Sequence, residues 1–355
     1  MPPSVRSSAS RPHARPHARR HARRHAAVLA VAVCIAAAAR ADAQPVDSTS
    51  GALPTRLPAQ LVQDLHGAFG EHRARAVHTK GVILQGRFDP DPGARALSKA
   101  AVFAASVPVV VRFSDFTGLP AIPDTAYDAS PRGLAVKFLL PDGSDLDVVT
   151  HSFNGFMVRS SAEFSRFLQA LAASGPNAAK PTALDRFLGT HPETKTFLTT
   201  RKPPPASYAT AAYFGVNAFR FTDAAGRGRY VRYRFVPEAG EHELDDATRA
   251  TKSPSYLSDE IVARVAATPA RFTWYAQLAE PGDPIEDPAS AWPETRRLVR
   301  LGTLTIDCAG PNTPTADQAL AFLPGSLLPG IEVADPMVTI RNAAYPVSAS
   351  ERRRP

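Results

Sequence analysis

Between residues 58 and 77 the apolar positions Leu61, Leu65 and Phe69 recur every four residues, and this spacing predicts a helix with one buried face. The period then changes. Residues 78–88 (HTKGVILQGRF) read as extended, and residues 107–116 (VPVVVRFSDF) form a β-branched run suited to a buried strand. Two further strands are predicted at 132–140 and 145–153, joined by the hairpin signal PDGSD, with GFMVR (155–159) extended after them. Helical spacing returns at 162–174, where Phe164, Phe167, Leu168 and Leu171 share a face, and ALDRFLGTH adds a second short helix. Strand patterns resume at 208–221 and 228–237, the latter alternating Tyr230, Arg232 and Arg234 with Arg229, Val231, Tyr233 and Phe235. A last pair at 272–279 and 297–307 precedes a short carboxy-terminal helix. About eight strands joined largely by tight turns, with helices around them, predict one α+β domain. Antiparallel connections favour closure into a barrel, which removes exposed edges and encloses a ligand cavity.

Composition narrows the class. The chain has 355 residues, 44% of them apolar and 21% charged, enough to bury a large core. Its 34 prolines suit many short elements, and no internal repeat is present. The net charge of +8 invites a nucleic-acid reading until its distribution is examined. Residues 1–43 hold eight arginines and one acid, leaving 33 basic and 32 acidic residues for the rest. Binding to nucleic acid needs clustered cation, so the balanced body of the chain argues against it.

The same front segment reads as an address. A basic stretch ending in Arg23 and Arg24 runs into apolar residues 26–39 and then Ala41, Asp42 and Ala43, the three parts of a secretory signal. Residues 1–43 are expected to be a cleaved signal peptide, residues 44–57 a flexible leader and residues 58–355 the folded domain. The apolar run is shorter than the roughly 20 residues that a spanning helix requires, so no stable membrane span is expected after cleavage. The mature protein is then expected to be periplasmic or secreted, by the general or the twin-arginine route. Cys34 lies in the apolar run, which leaves Cys308 alone and allows neither an intrachain disulfide nor a cysteine metal cluster.

Candidate chemistry starts from the six histidines that follow residue 43, of ten in the chain: His66, His72, His78, His151, His191 and His242. They form no H-E-x-x-H pair, and the chain has no G-x-S-x-G elbow, G-x-G-x-x-G turn or P-loop. What remains is a set of arginines beside one His and one Tyr. Arg75 lies three residues before His78, Arg112 two before Ser114, and Arg341 four before Tyr345, with Arg352 seven beyond it. On a helix, positions i and i+4 share a face, so the Arg341 guanidinium can reach the Tyr345 oxygen and favour the phenolate. An oxygen ligand to ferric iron requires that form, and Tyr is one of the axial ligands of haem iron.

Five segments read together extend this picture: RAVHTKG (75–81), VPVVVRFSDFTG (107–118), PRGLAVKF (131–138), YFGVNAFRF (213–221) and DPMVTIRNAAY (335–345). In this order they resemble the haem catalase superfamily, and specifically its minimal members, the catalase-related peroxidases. The resemblance spans about residues 60 to 355. It implies a catalase-like antiparallel β-barrel of about eight strands, with flanking helices enclosing haem, taken as b-type. It also implies site roles. His78 matches the distal histidine, Ser114 the serine bonded to it, Tyr345 the axial ligand of the haem iron and Arg341 its partner. Arg75, Arg112 and Arg352 match the arginines that meet the haem propionates, and Phe164 the aromatic residue at the haem face.

Two departures from the larger catalases stand out. Where those supply a distal Asn, this chain aligns His151 and Ser152, with Asn154 two residues further on; either His151 or Asn154, or neither, could line the pocket. The chain also stops ten residues after Tyr345, so the later wrapping and helical domains, and the tetramer they hold together, are not implied. A monomer or small homo-oligomer is expected. The function implied is an exported peroxidase that reduces hydrogen peroxide or organic peroxides with an unidentified small-molecule reductant, its catalase turnover being the lesser. Alternatives are an allene-oxide-synthase-like enzyme that rearranges lipid hydroperoxides, a non-catalytic haem carrier, and a haem-free barrel of lipocalin-like shape.

Overall fold

The computed structural model describes residues 56–200 and 202–353, so the expected signal peptide and all but the last two residues of the expected leader lie outside the described residues. Helix α1 (Leu57–Phe69) comes first, with Pro58 in its opening turn. It is shorter than the sequence pattern suggested. Gly70 (φ 87°) takes a backbone conformation that costs other residues dearly and so stops the helix where the Leu61, Leu65 and Phe69 stripe ends.

Strands β1 (Gly81–Pro90), β2 (Val107–Ser114), β3 (Gly133–Leu139) and β4 (Asp145–His151) form an antiparallel meander. Strands β5 (Tyr213–Thr222), β6 (Gly228–Pro237), β7 (Ala270–Leu278) and β8 (Leu298–Ala309) form a second. β1 pairs with β8 along its length, and β4 meets β5 through the single pair His151 and Phe214. These two junctions close eight strands into a barrel. A ninth strand not foreseen from the sequence, β9 (Ile331–Val333), pairs with the outer half of β5. The barrel interior is filled by alternate residues of every strand: Trp274 lies flat on Phe138 and Phe235, with centroids 5.1 and 5.5 Å away, and meets Phe88 edge-on.

The helices form a second layer outside the barrel. Helix α2 (Ser161–Ala172) starts on Ser160, whose hydroxyl accepts from Glu163 N, while the Glu163 carboxylate accepts from Arg159 N. Helices α3 (Ala183–Thr190) and α4 (Pro192–Thr199) follow, then α5 (Asp246–Thr251), α6 (Tyr256–Ala267), α7 (Pro314–Ala319) and α8 (Pro336–Arg352). The pattern had predicted α3 but not α4, α5, α6 or α7. The α6 signal was present, in Leu257, Ile261 and Val265 four residues apart. The carboxy-terminal helix is also longer than expected, because the Asp335 carboxylate caps Met337 N and starts it early.

Two extended predictions change. Strand β5 begins only at Tyr213, since Ser207 and Thr210 cap a single tight turn before it. The GFMVR segment forms no strand. Its Phe156, Met157 and Val158 are buried, but Phe156 N donates to Pro288 O and Met157 O accepts from Thr194 Oγ1, so its backbone polar groups are satisfied outside the sheet. These residues join Leu65 and Phe69 of α1, Phe164 and Phe167 of α2, and Ile340 and Tyr345 of α8 in an apolar cluster separate from the barrel interior.

Candidate active site

One rim of the barrel carries the site. Gly81, Ser114, Gly133 and His151 are successive register partners across β1, β2, β3 and β4. Directly opposed residues of neighbouring strands share a face, so these four positions form one row. His78 stands three residues before β1 with φ 50°, the one positive φ at a residue other than glycine among those described. The loop that holds this conformation is clamped. Arg112 Nη1 donates to His78 O at 2.8 Å and Nη2 to Thr79 O at 3.1 Å, while Thr79 Oγ1 donates to Arg75 O at 2.9 Å.

The His78 side chain lies over Gly133. A Cβ at that position would sit 2.5 Å from both His78 Nδ1 and Ser114 Oγ, so the ring needs the space that glycine leaves. Nδ1 and Ser114 Oγ are 2.8 Å apart, and this contact assigns proton exchange to Nε2. Burial pushes the His78 pKa well below its usual value, and the cations Arg112, Arg341 and Arg75 add to the shift. The imidazole is therefore neutral at pH 7, the form that accepts a proton.

The three arginines expected at a propionate edge converge on α7. Arg75 donates to Asp317 and, through Nη2, to Leu320 O at 2.9 Å; Arg112 Nε donates to Asp317 Oδ1 at 2.7 Å. Arg352 donates to Gln318 O at 3.2 Å and Leu320 O at 2.9 Å. Burial raises the cost of the Arg75 charge and lowers its pKa well below the usual value; Arg112 lowers it further and Asp317 partly offsets both. Burial would raise the Asp317 pKa, but Arg112 and Arg75 outweigh it and hold the carboxylate below its usual range. Arg75 and Arg112 thus share one carboxylate, and the buried Arg75 Nε has no partner. An unsatisfied buried guanidinium nitrogen calls for a further anion, so these residues fit the carboxylate edge of a haem.

Tyr345 is buried on α8, and the predicted Arg341 contact forms: Nε and Nη2 reach the phenolic oxygen at 3.0 and 2.7 Å. Two donors from one guanidinium stabilise negative charge there, as an oxygen ligand to ferric iron needs. Behind Arg341 stand two residues that the sequence did not single out. Arg341 Nη1 donates to Asn217 Oδ1, and Asn217 Nδ2 donates to Asp335 Oδ2 at 2.7 Å. Both lie inside the segments that carried the family resemblance, yet their function as a brace follows only from the approach of α8 to β5. Tyr345, Phe164 and Phe116 share the second apolar cluster, and His78 meets Phe116 edge-on at 5.1 Å, so Phe164 lies among the residues around the site.

His151 and Asn154 lie in different surroundings. Asn154 Nδ2 bonds the Glu294 carboxylate at the surface, 2.7 Å away, and Ser152 Oγ accepts from Arg132 N. His151 occupies the row beside Gly133, buried among Phe116, Phe156 and Phe197. At the adjacent β4–β5 seam a cavity of about 370 Å³ is lined by residues including Ser152, Phe153, Lys202 and Phe214. Among the described residues no cluster of His, Cys, Asp and Glu could hold a bare metal ion, and Cys308 is exposed and unpaired.

Known proteins bear on this geometry. The family model described as Catalase matches residues 54–354. A protein named catalase-related peroxidase from Synechococcus elongatus is 34% identical over 305 residues, 84% of this chain and 89% of that one. Another of the same name from Mycolicibacterium paratuberculosis is 37% identical over 303 residues, 83% of this chain and 94% of its own. Among solved structures, a fungal catalase at 20% identity superposes with a TM-score of 0.69, covering 92% of this chain and 71% of the other, and supports the fold alone. Matched over nearly all of its described length, with relatives of similar size above 30% identity, the chain belongs to the catalase family.

Proposed function

We propose that this protein is a haem-dependent peroxidase that reduces hydrogen peroxide or organic peroxides with an organic electron donor, catalase turnover being subordinate. The observation that carries the reading is the pairing of a buried neutral His78, fixed by Ser114, with a buried Tyr345, fixed by Arg341, around one apolar cluster. The names of the relatives support the same reaction class.

Bound haem, taken as b-type, would supply the redox centre at which a peroxide O–O bond is cleaved and donor electrons are received. Tyr345 would hold its iron, with Arg341 keeping the phenolic oxygen anionic. Arg75, Arg112 and Arg352 would hold its carboxylates. His78 Nε2 takes a proton from the peroxide oxygen that attacks and returns it to the oxygen that leaves, so the departing group goes as water or an alcohol. Ser114 keeps the ring aimed, and the apolar cluster excludes competing water. The amino-terminal sequence supports export to the periplasm or beyond, with the folded domain acting there.

Replacing His78 by Ala tests the reading. The haem-loaded variant should keep its absorption spectrum and react with peroxide about a thousandfold more slowly, the contribution expected of a positioned acid–base group. Unchanged peroxide kinetics would overturn the assignment.

A further inference from the structure

Among the described residues, His151 is the one buried histidine near the site whose chemistry is unaccounted for. Both of its ring nitrogens are buried and without a hydrogen-bond partner, although the residue is only 5% exposed. A neutral imidazole carries one donor and one acceptor, and leaving both unmade is costly unless something outside the protein meets them. Burial, with Arg341 and Lys202 adding to it, pushes the pKa down to about 3, so the ring is neutral across the physiological range.

Its position supplies the reason. In the row across the strands, Ser114 and His151 are the two register neighbours of Gly133, and the His78 ring fills the space above that glycine. Ser114 therefore flanks His78 on one side and His151 on the other. Phe116 touches both imidazoles, at 5.1 and 5.6 Å between centroids. Packing alone would be served better by a phenylalanine, since Phe116, Phe156 and Phe197 already form an apolar cage.

We propose that His151 is a second residue in contact with the peroxide, donating a ring N–H hydrogen bond to the oxygen that leaves while His78 carries the proton. No net proton passes through His151; the bond stabilises the negative charge that develops on that oxygen before His78 delivers its proton. The proposal rests on the peroxidase reading given above.

Stopped-flow measurement of the haem-loaded full-length protein with hydrogen peroxide and with cumene hydroperoxide tests it, using His151→Phe, His151→Gln and His78→Phe. His151→Phe should lower the second-order rate of the peroxide-induced spectral change about a hundredfold, the effect of removing one aimed donor. His151→Gln, which keeps a donor, should recover to within about tenfold of the unaltered protein. The thermal midpoint of His151→Phe should stay level or rise, because two unmade hydrogen bonds leave the core. An unaltered rate in His151→Phe would overturn the proposal, as would a lowered midpoint with a rate loss that Gln does not recover, the mark of a residue that only fills space. If the unaltered protein does not react with either peroxide, the peroxidase reading fails and this proposal with it; if it reacts and His78→Phe does not, only the His151 result decides.

Discussion

A single methyl group placed at Gly133 should disable the site without replacing any polar residue. The Cβ of Gly133→Ala would lie 2.5 Å from His78 Nδ1 and Ser114 Oγ and 2.7 Å from His78 Cε1. Ordinary contact begins near 3.4 Å, so the ring must withdraw by about 0.9 Å, and β2 and β3 cannot open to spare it because Ser114 and Gly133 are paired in register. Withdrawal breaks the 2.8 Å contact with Ser114 and moves Nε2 away from the peroxide. A displacement of roughly 1 Å costs about a hundredfold in rate, or some 2.7 kcal/mol of barrier. Overpacking costs a further ~1–3 kcal/mol of stability, seen as a few degrees in thermal midpoint. The assay is stopped-flow mixing of the haem-loaded variant with hydrogen peroxide, with the resting spectrum recorded first. That spectrum should be unchanged, since Tyr345 and Arg341 lie outside the row. A variant reacting within threefold of the unaltered protein, at the same midpoint, would refute the placement of His78 over Gly133.

Further outcomes follow from the same geometry. Tyr345→Phe removes the oxygen that Arg341 surrounds, and haemin titration should show the ferric phenolate spectrum lost and affinity reduced; an unaffected spectrum would exclude Tyr345 as the ligand. Asp317→Asn leaves Arg75 and Arg112 buried without their shared carboxylate, so denaturant unfolding of the haem-free protein should lose about 3 kcal/mol, a loss that haemin should largely reverse. For His151 the sign of the pH dependence is fixed by a folded-state pKa near 3 below an unfolded value of 6.5. Its effect on stability is constant above pH 6.5 and becomes increasingly destabilising as pH drops toward 3, because only the unfolded chain takes up the proton. Between pH 8 and pH 5 the unaltered protein should lose about 2 kcal/mol more than His151→Phe, measured by urea unfolding at both pH values, and parallel curves would contradict the buried neutral state. The comparison with the variant removes the opposing contributions of Asp115 and Asp147, which burial raises to about 6 and about 7.

Local relations could be read from the sequence because local geometry determines them. Arg341 and Tyr345 meet because helical positions four apart share a face, and the strands of the barrel were visible as β-branched runs with turn residues between them. Helix ends were harder: the apolar stripe of α1 located its face, while Gly70 decided where it stopped. The segments that resemble the catalase family identified His78, Ser114 and Tyr345 as a set, without showing what each touches.

Contacts between distant parts of the chain were set by tertiary structure. Asp317 reaches Arg75 and Arg112 across 242 and 205 residues, and no spacing rule connects them. The extended reading of residues 155–159 failed because burial looks the same in a strand as in a packed loop, and only the partners of Phe156 and Met157 tell the two apart. His151 and Asn154 were equal candidates in one dimension, three residues apart. The β3–β4 register turned His151 into the row beside His78, and the turn after β4 delivered Asn154 to Glu294 at the surface. Residue chemistry and short-range periodicity were enough to specify the repertoire of reactive groups, the helix that brings Arg341 onto Tyr345 and the strands of the barrel. Which buried nitrogens are left unpaired at the site depends on how barrel, loops and outer helices pack together, since that is a property of the packed whole.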